Sequence, residues 1–312
     1  MLDRSTKAST VGNRAALTLG PLLFNWPEER WKDFYARVAD EAPVDAVCLG
    51  EVVCSKRLPF YVDAIYEAAE RLRRAGKAVV MSTLALITLP RERKECAELV
   101  RREDFDIELN DLTALSYLDK TRPFRVGPLV NVYNEGTLQF LARRGAVGVC
   151  FPPELSLGAV EALSRAAASM GLDAEVWSFG RIPLAIAGRC YHARAEGLTK
   201  DSCQFACARD GDGLDVKTVD GNPLLAINGV QTLSHTYCNL AADLDRLREA
   251  GVTAFRLSPH GGDMVAVAHA FRDRLDGRIE MDEAWAKISG ASGVTAFSNG
   301  FLFGKSGLEL VC

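Results

Sequence analysis

Residues 45–84 read "DAVCLGEVVCSKRLPFYVDAIYEAAERLRRAGKAVVMSTL", and this stretch shows a pattern that recurs along the chain. It begins with the apolar run "DAVCLG", continues with a helical segment from Tyr61 to Ala75 that stops at Gly76, and ends with the apolar run "AVVMSTL". A glycine just past the last helical residue is a frequent helix end. A strand, a helix and a strand in this order predict one unit of a parallel sheet.

The same alternation extends almost from end to end of the chain. Eight apolar, strand-like runs are present: "AALTLGPLLF", "DAVCLG", "AVVMSTL", "FDIELND", "FRVGPLVNVY", "GVCFPPE", "AEVWSFG" and "AFRLSP". Further helices are expected at Pro27–Ala42, Asn134–Arg144, Leu157–Met170, Asn239–Ala250 and Asp263–Arg274. This alternation predicts an α/β fold, a (β/α)8-type barrel, with a doubly wound open sheet as the alternative. The sequence has no GxGxxG or P-loop motif, which weakens the alternative.

One interval breaks the rhythm, between the seventh run and the eighth. About 70 residues separate "AEVWSFG" from "AFRLSP", far more than a loop and a helix require. The interval holds three cysteines, a turn-rich piece "DGDGLDVKTVDGNP" and a strand-like "LLAINGVQTL". We therefore predict a flexible N-terminal extension over 1–14 and a single barrel domain over 15–312, with a cysteine-bearing insertion at about 181–225 after the seventh strand.

Composition limits the classes of function. The chain has 312 residues, 48% hydrophobic and 25% charged, with a formal net charge of -4. This charge argues against a generally basic surface for nucleic acid. The polar start lacks the apolar core of a secretory signal, and no apolar run approaches the roughly 20 residues of a membrane span. The expectation is a cytoplasmic protein that neither binds nucleic acid nor spans a membrane.

Three cysteines cluster in the insertion. Cys190, Cys203 and Cys207 have C-x12-C-x3-C spacing, which suits either zinc or an iron-sulfur cluster. Structural zinc usually shows paired CxxC knuckles and ferredoxins a CxxCxxC run, and neither is present. A fourth ligand has to come from elsewhere, and His192 could ligate the metal or donate a hydrogen bond to a ligand. Cationic neighbours would stabilise thiolates: Arg189, Arg194 and Lys200.

The other cysteines have different surroundings. Cys48 and Cys150 lie inside strand-like apolar runs and are expected in the core. Cys96 and Cys238 are expected on outer helices, and Cys312 ends the chain.

Polar residues follow several of the strand runs, where barrel enzymes place their chemistry. Asp111 and Asn134 are expected to cap helices. We predict a pocket for an acidic or aromatic small molecule, formed by Glu51, Asn110, Asn131, Tyr133, Glu154 and Arg181.

Sequence motifs point to a known family. They are "LGPLLFNWP", "LGEVVCSKR", "STLAL", "NVYN", "PPELS", "FGRIPLA", "GRCYHAR", "DSCQFAC", "LAINGVQTLS", "VTAFRLSPHG" and "NGFLFGKSGLEL". In this order they resemble the collagenase-like peptidase family, and within it the smaller members of ubiquinone biosynthesis. The resemblance covers nearly the whole chain after the N-terminal extension.

The resemblance implies a barrel-type fold with a 4Fe-4S cluster on Cys54, Cys190, Cys203 and Cys207. It also implies work with a UbiU-like protein in the oxygen-independent hydroxylation of ubiquinone precursors. The sequence shows no GxSxG or HExxH motif of a peptidase. Two other readings stay open: a non-catalytic, cluster-bearing partner protein and a zinc-stabilised hydrolase.

The C-terminal "SGVTAFSNGFLFGKSGLELV" is rich in apolar residues. It would expose several aromatic side chains unless it docks on something. With the resemblance, this predicts a heterodimer with a UbiU-like protein. The alternative is that the segment packs across its own barrel.

Overall fold

The computed structural model describes residues 14–311. The expectation of a flexible extension therefore falls, up to residue 13, outside the described residues, and so does Cys312. Twelve strands are present in the described part: β1 (Ala16–Leu19), β2 (Ala46–Leu49), β3 (Ala78–Ser82), β4 (Asp106–Leu109), β5 (Phe124–Val126), β6 (Ala146–Phe151), β7 (Asp173–Ile186), β8 (Leu214–Lys217), β9 (Pro223–Asn228), β10 (Gln231–Asn239), β11 (Ala254–Leu257) and β12 (Phe297–Ser298).

Eight of these strands form a closed parallel barrel. Strands β1 to β7 pair in chain order, and β11 pairs in parallel with both β1 and β7, which closes the ring. The barrel predicted from the β/α alternation is confirmed, and the open sheet is excluded because neither end of the ring is left unpaired.

The α-helices of the described residues are α1 (Glu28–Glu41), α2 (Val62–Arg74), α3 (Pro90–Arg101), α4 (Glu135–Arg143), α5 (Leu157–Ser169), α6 (Tyr191–Ala195), α7 (Leu244–Glu249), α8 (Met264–Leu275) and α9 (Met281–Ser292). None of them combines the length and apolar character needed to cross a membrane. The helix expected from Asn239 is wrong at its start, because Asn239 and Cys238 pair with β7 as part of β10. Cys238 is therefore a buried strand residue.

The helix α2 shows why the predicted segments fold as they do. Its buried residues, Ala64, Ile65, Ala69 and Leu72, recur at the three- and four-residue spacing of one helical face. The expected caps are confirmed as well. The Asn134 side chain accepts a hydrogen bond from the Thr137 N–H at 2.9 Å, and Asp111 accepts one from Thr113 at 2.8 Å.

Beyond the barrel, β7 continues into an antiparallel extension. Strand β10 pairs with β7, β9 with β10, and β8 with β9, while α6 and the clustered cysteines lie between β7 and β8. The run "LLAINGVQTL" is a hairpin rather than one strand. It turns at Gly229, whose φ of +63° is open mainly to glycine.

The C-terminal segment packs on the protein itself. Strand β12 pairs with β10, Leu302 is buried, and the Phe297 ring lies 5.3 Å from the Trp285 ring. The Asn299 side chain donates to the carbonyl of Val311 at 2.9 Å. The segment therefore gives no support for a partner, in agreement with the alternative considered from the sequence.

The barrel interior contains a charged layer. Arg256 of β11 donates to Glu175 of β7 at 2.6 Å and also to Glu108 of β4. Strand β4 lies opposite β11 in the ring. All three are almost fully buried. Cys48 and Cys150 are buried as expected, and the carboxylates of Glu108 and Glu175 lie near them. Burial raises the pKa of both thiols, and the two carboxylates raise it further.

Candidate functional site

Four cysteines from two distant parts of the chain line one cavity. Cys54 comes from the loop after β2, Cys190 from the start of α6, and Cys203 and Cys207 from the loop between α6 and β8. The cavity is narrow, with a volume of about 20 Å³. Its other lining residues are Lys56, Arg57, Ala193, Lys200, Phe205, Ala206 and Gly229. The structure thus brings together the four residues that the family resemblance implied.

The four thiols do not form a ready-made site for one ion. Between residues 14 and 311, no group of three or more His, Cys, Asp or Glu side chains could hold a metal ion as it stands. Burial raises the pKa of the Cys54 and Cys190 thiols above the ordinary value. A metal would therefore have to displace protons from these thiols as it binds.

A buried arginine supplies positive charge at the cavity. Arg57 is 1% exposed and donates to the Leu23 carbonyl at 2.8 Å and to the Asn228 side chain at 2.9 Å. Burial opposes its charge, but Glu51 and the thiols of Cys207 and Cys54 outweigh burial and raise the pKa of Arg57. Arg57 is therefore a fixed cation beside the thiols.

Lys56 ties the β2 loop to the insertion. Its Nζ donates to the carbonyls of Lys200 at 2.8 Å and Asp201 at 3.1 Å.

Glu51, a predicted pocket residue, has a different role. Its carboxylate accepts hydrogen bonds from the backbone N–H groups of Val53 and Cys54, both at 2.8 Å. These bonds fix the loop that presents Cys54.

Two N–H groups point at sulfur atoms. Asn25 Nδ2 donates to Cys207 Sγ at 3.4 Å, and the Tyr61 hydroxyl donates to Asn25 Oδ1, which orients the amide. The Ala193 N–H donates to Cys190 Sγ at 3.4 Å. Hydrogen bonds to ligating sulfur tune cluster potentials. Sequence reasoning missed Asn25, although its place in "FNWP" soon after β1 is a strand-end signal.

His192 is held away from the thiols. Its Nδ1 accepts the Gly229 N–H at 3.5 Å, so Nε2 carries the proton and donates to Asp210 at 2.8 Å. With both ring nitrogens engaged, His192 positions the insertion, and it does not line the cavity.

The C-x3-C loop is strained. Gln204 and Phe205, between the two cysteines, both have positive φ, at 46° and 52°. Each such residue costs roughly 1 kcal/mol, which the surrounding contacts must offset. One of these contacts is the edge of Phe60 against the Phe205 ring, with centroids 4.7 Å apart.

We expect Gly229→Ala to destabilise the protein more than Gly76→Ala. Both glycines have positive φ, so alanine costs each about 1 kcal/mol. A Cβ on Gly229 would lie 2.8 Å from the Arg57 guanidinium, whereas a Cβ on Gly76 meets nothing within 4 Å. The clash adds roughly 1–3 kcal/mol at Gly229. Urea unfolding of both variants measures the difference, and equal losses would contradict the close packing of Arg57.

The remaining predicted pocket residues are spread over three places. Asn110 is buried and donates to Glu108 at 3.2 Å. Asn131 is exposed, and Tyr133 donates to Glu154 at the protein surface. Arg181 lines a separate cavity of about 480 Å³ with Asp212, His235, Tyr237, His260, Gly261, Gly262 and residues 290–296.

Comparisons with known proteins agree with the sequence motifs. Residues 30–311 match the family model of peptidase family U32. Among solved structures, the chain is similar to a GH10 endoxylanase retrieved from a sugarcane soil metagenome, at 10% identity and a TM-score of 0.42, over 80% of this chain and 85% of the other. It is also similar to an enolase, a putative galactarate dehydratase from Agrobacterium radiobacter, at 12% identity and a TM-score of 0.34, over 77% and 67% of the chains.

Proposed function

Because the chain belongs to peptidase family U32, we propose that it is a UbiV-like member of that family, a cytoplasmic protein that carries a 4Fe-4S cluster in oxygen-independent hydroxylation of ubiquinone precursors. The observation that carries the proposal is the cavity shared by Cys54, Cys190, Cys203 and Cys207. Four cysteine thiolates are the usual ligand set of a 4Fe-4S cluster.

The donor set fits this group better than a single ion. In such a cluster each thiolate binds its own iron, so the sulfur atoms surround the cluster instead of meeting at one point. A shared cavity without a ready-made ion site is consistent with that arrangement. The cationic side chains of Lys56, Arg57 and Lys200 would balance the negative charge of the thiolates.

When bound, the cluster would supply one-electron chemistry. The contribution of the protein is to hold and shield the site. The Asn25 amide and the Ala193 N–H donate to the sulfur atoms of Cys207 and Cys190, and Phe205 and Ala206 line the cavity. Such donors raise a cluster's reduction potential because they stabilise added negative charge.

A UbiU-like protein is the proposed partner. This part of the proposal rests on the family resemblance alone, because the C-terminal segment packs on its own barrel. The partner protein would complete the hydroxylase, and neither chain alone would be active.

The test is anaerobic purification of the chain alone and co-expressed with a UbiU-like protein. We expect about four irons and four sulfides per chain, and hydroxylation of a ubiquinone precursor only by the pair. Zinc without sulfide would favour a zinc-stabilised hydrolase. Full activity of the partner without this chain would show that the chain is not catalytic.

A further inference from the structure

The Arg181 cavity contains a buried imidazole with one nitrogen free. His260 lies just after β11, at the carboxyl end of the barrel strands, and is 3% exposed. Its Nε2 lies 3.0 Å from the Ser292 carbonyl oxygen, which can only accept, so Nε2 carries the proton. Nδ1 is then an acceptor, and it is buried without a protein partner. An unmet acceptor of this kind indicates a ligand that donates a hydrogen bond.

Tyr237 supplies the complementary group. Its ring centroid lies 4.8 Å from that of His260, and the two rings pack against each other at an angle of 56° in the wall of the cavity. The Tyr237 oxygen accepts from Arg181 Nε at 3.2 Å, which leaves the hydroxyl proton free to donate. The cavity therefore offers the Tyr237 hydroxyl as a donor and His260 Nδ1 as an acceptor. The Nδ1 of His235, which also lines the cavity, is likewise buried without a hydrogen-bond partner.

The charged groups of the cavity are already engaged. Arg181 donates to the carbonyls of Ser234 and His235 at 2.8 and 2.7 Å and to Asp215 at 3.3 Å. Asp212 accepts the Gly261 N–H at 2.7 Å. Burial lowers the pKa of His260, so its ring is neutral at pH 7. These pairings favour an uncharged polar ligand over an anion.

We propose that this cavity binds a phenolic ring, whose hydroxyl donates to His260 Nδ1 and accepts from the Tyr237 hydroxyl. A volume of about 480 Å³ is within the usual range of small-molecule sites. That the natural ligand is a phenolic ubiquinone precursor rests on the proposed function. Asp212, which lines this cavity, follows Cys207 of the cysteine cavity by five residues, so their Cα atoms lie within roughly 18 Å of each other.

The test compares two probes that differ only at the oxygen, by fluorine NMR titration of the full chain: 4-fluorophenol, whose hydroxyl can donate a hydrogen bond, and 4-fluoroanisole, whose methoxy group cannot. We expect the wild type to bind the phenol about tenfold more tightly, because the anisole leaves His260 Nδ1 unpaired. His260→Phe keeps an aromatic ring against Tyr237 but removes the acceptor, and should make the two affinities equal. His269→Ala is the matched control, because His269 lies on α8 and bonds the Glu41 carbonyl.

Tyr237→Phe tests the same site if His260→Phe does not fold. It should weaken binding of the phenol about threefold or more, since one hydrogen bond is lost. Equal affinities of the two probes for the wild type would overturn the inference, as would a His260→Phe variant that still discriminates. Discrimination by a protein without iron and sulfide would support the phenolic site while refuting the proposed function. A cluster-bearing protein that does not discriminate would refute the site alone.

Discussion

Cys54→Ala, purified without oxygen, should contain as little iron and sulfide as Cys203→Ala, although the two residues lie far apart in the sequence. Both side chains line the same cavity, and we expect the protein not to retain a 4Fe-4S cluster that is held by only three of its four thiolates. The visible absorption of the protein should disappear with the metal. Iron and sulfide analysis of the two variants, beside the wild type, makes the measurement.

Cys96→Ala is the control for this experiment. Cys96 is a buried thiol on α3 and does not line the cysteine cavity, so its replacement should leave cluster content unchanged. If Cys54→Ala keeps its full iron and sulfide, the assignment of the fourth ligand is wrong. Circular dichroism of each variant separates loss of metal from loss of fold.

Arg256→Met should destabilise the protein by about 3–5 kcal/mol at pH 7, because it leaves Glu108 and Glu175 buried in the barrel without their cation. Urea unfolding measures the loss. Glu108→Gln removes one carboxylate but leaves the Arg256–Glu175 pair, so it should cost less. Arg165→Met breaks an exposed pair with Glu161 and should change stability by less than about 0.5 kcal/mol.

The loss of stability in Arg256→Met should depend on pH. Burial alone raises the pKa of Glu108, but Arg256, with Ser82 and Asn110, reverses the effect and holds this pKa below its usual range. In the wild type, the stability from Glu108 is therefore present at neutral pH and lost as the pH falls. In Arg256→Met the pKa of Glu108 rises instead, so stability is lost as the pH increases. The two proteins should differ most at pH 7 and less at pH 5; a gap that does not change with pH would contradict this account.

The barrel was predictable because its strands are short apolar runs and most of them are followed by an α-helix. Between β4 and β5 there is only a short 3-10 helix, Leu112–Ser116. The start expected for the helix at Asn239–Ala250 was wrong, because Asn239 pairs with β7 and α7 begins only at Leu244. The β9–β10 hairpin had a signal in the sequence, the Asn228-Gly229 pair typical of a tight turn. Local pattern is therefore informative about elements but weak at their ends.

The candidate site was predictable only in part. The spacing of Cys190, Cys203 and Cys207 is visible in the sequence, whereas Cys54 was predicted from the family resemblance and from its place in the loop just after a strand. The pairing of Arg256 with Glu108, and the meeting of His260 with Tyr237, depend on long-range packing that no local pattern records. Arg181 was predicted to face a ligand, but it donates to the Tyr237 hydroxyl, to two backbone carbonyls and to Asp215.

The closure of the barrel by β11 has a consequence for synthesis of the chain. Ala16 of β1 pairs with Ala254, and Leu19 with Leu257, so the ring cannot close until nearly the whole barrel has left the ribosome. Until then β1 and β7 have open edges, and Glu108 and Glu175 lack Arg256. Folding that waits for such distant contacts is slow and prone to aggregation. Expression at reduced temperature, where association of nascent chains is weaker, should therefore increase the yield of folded protein.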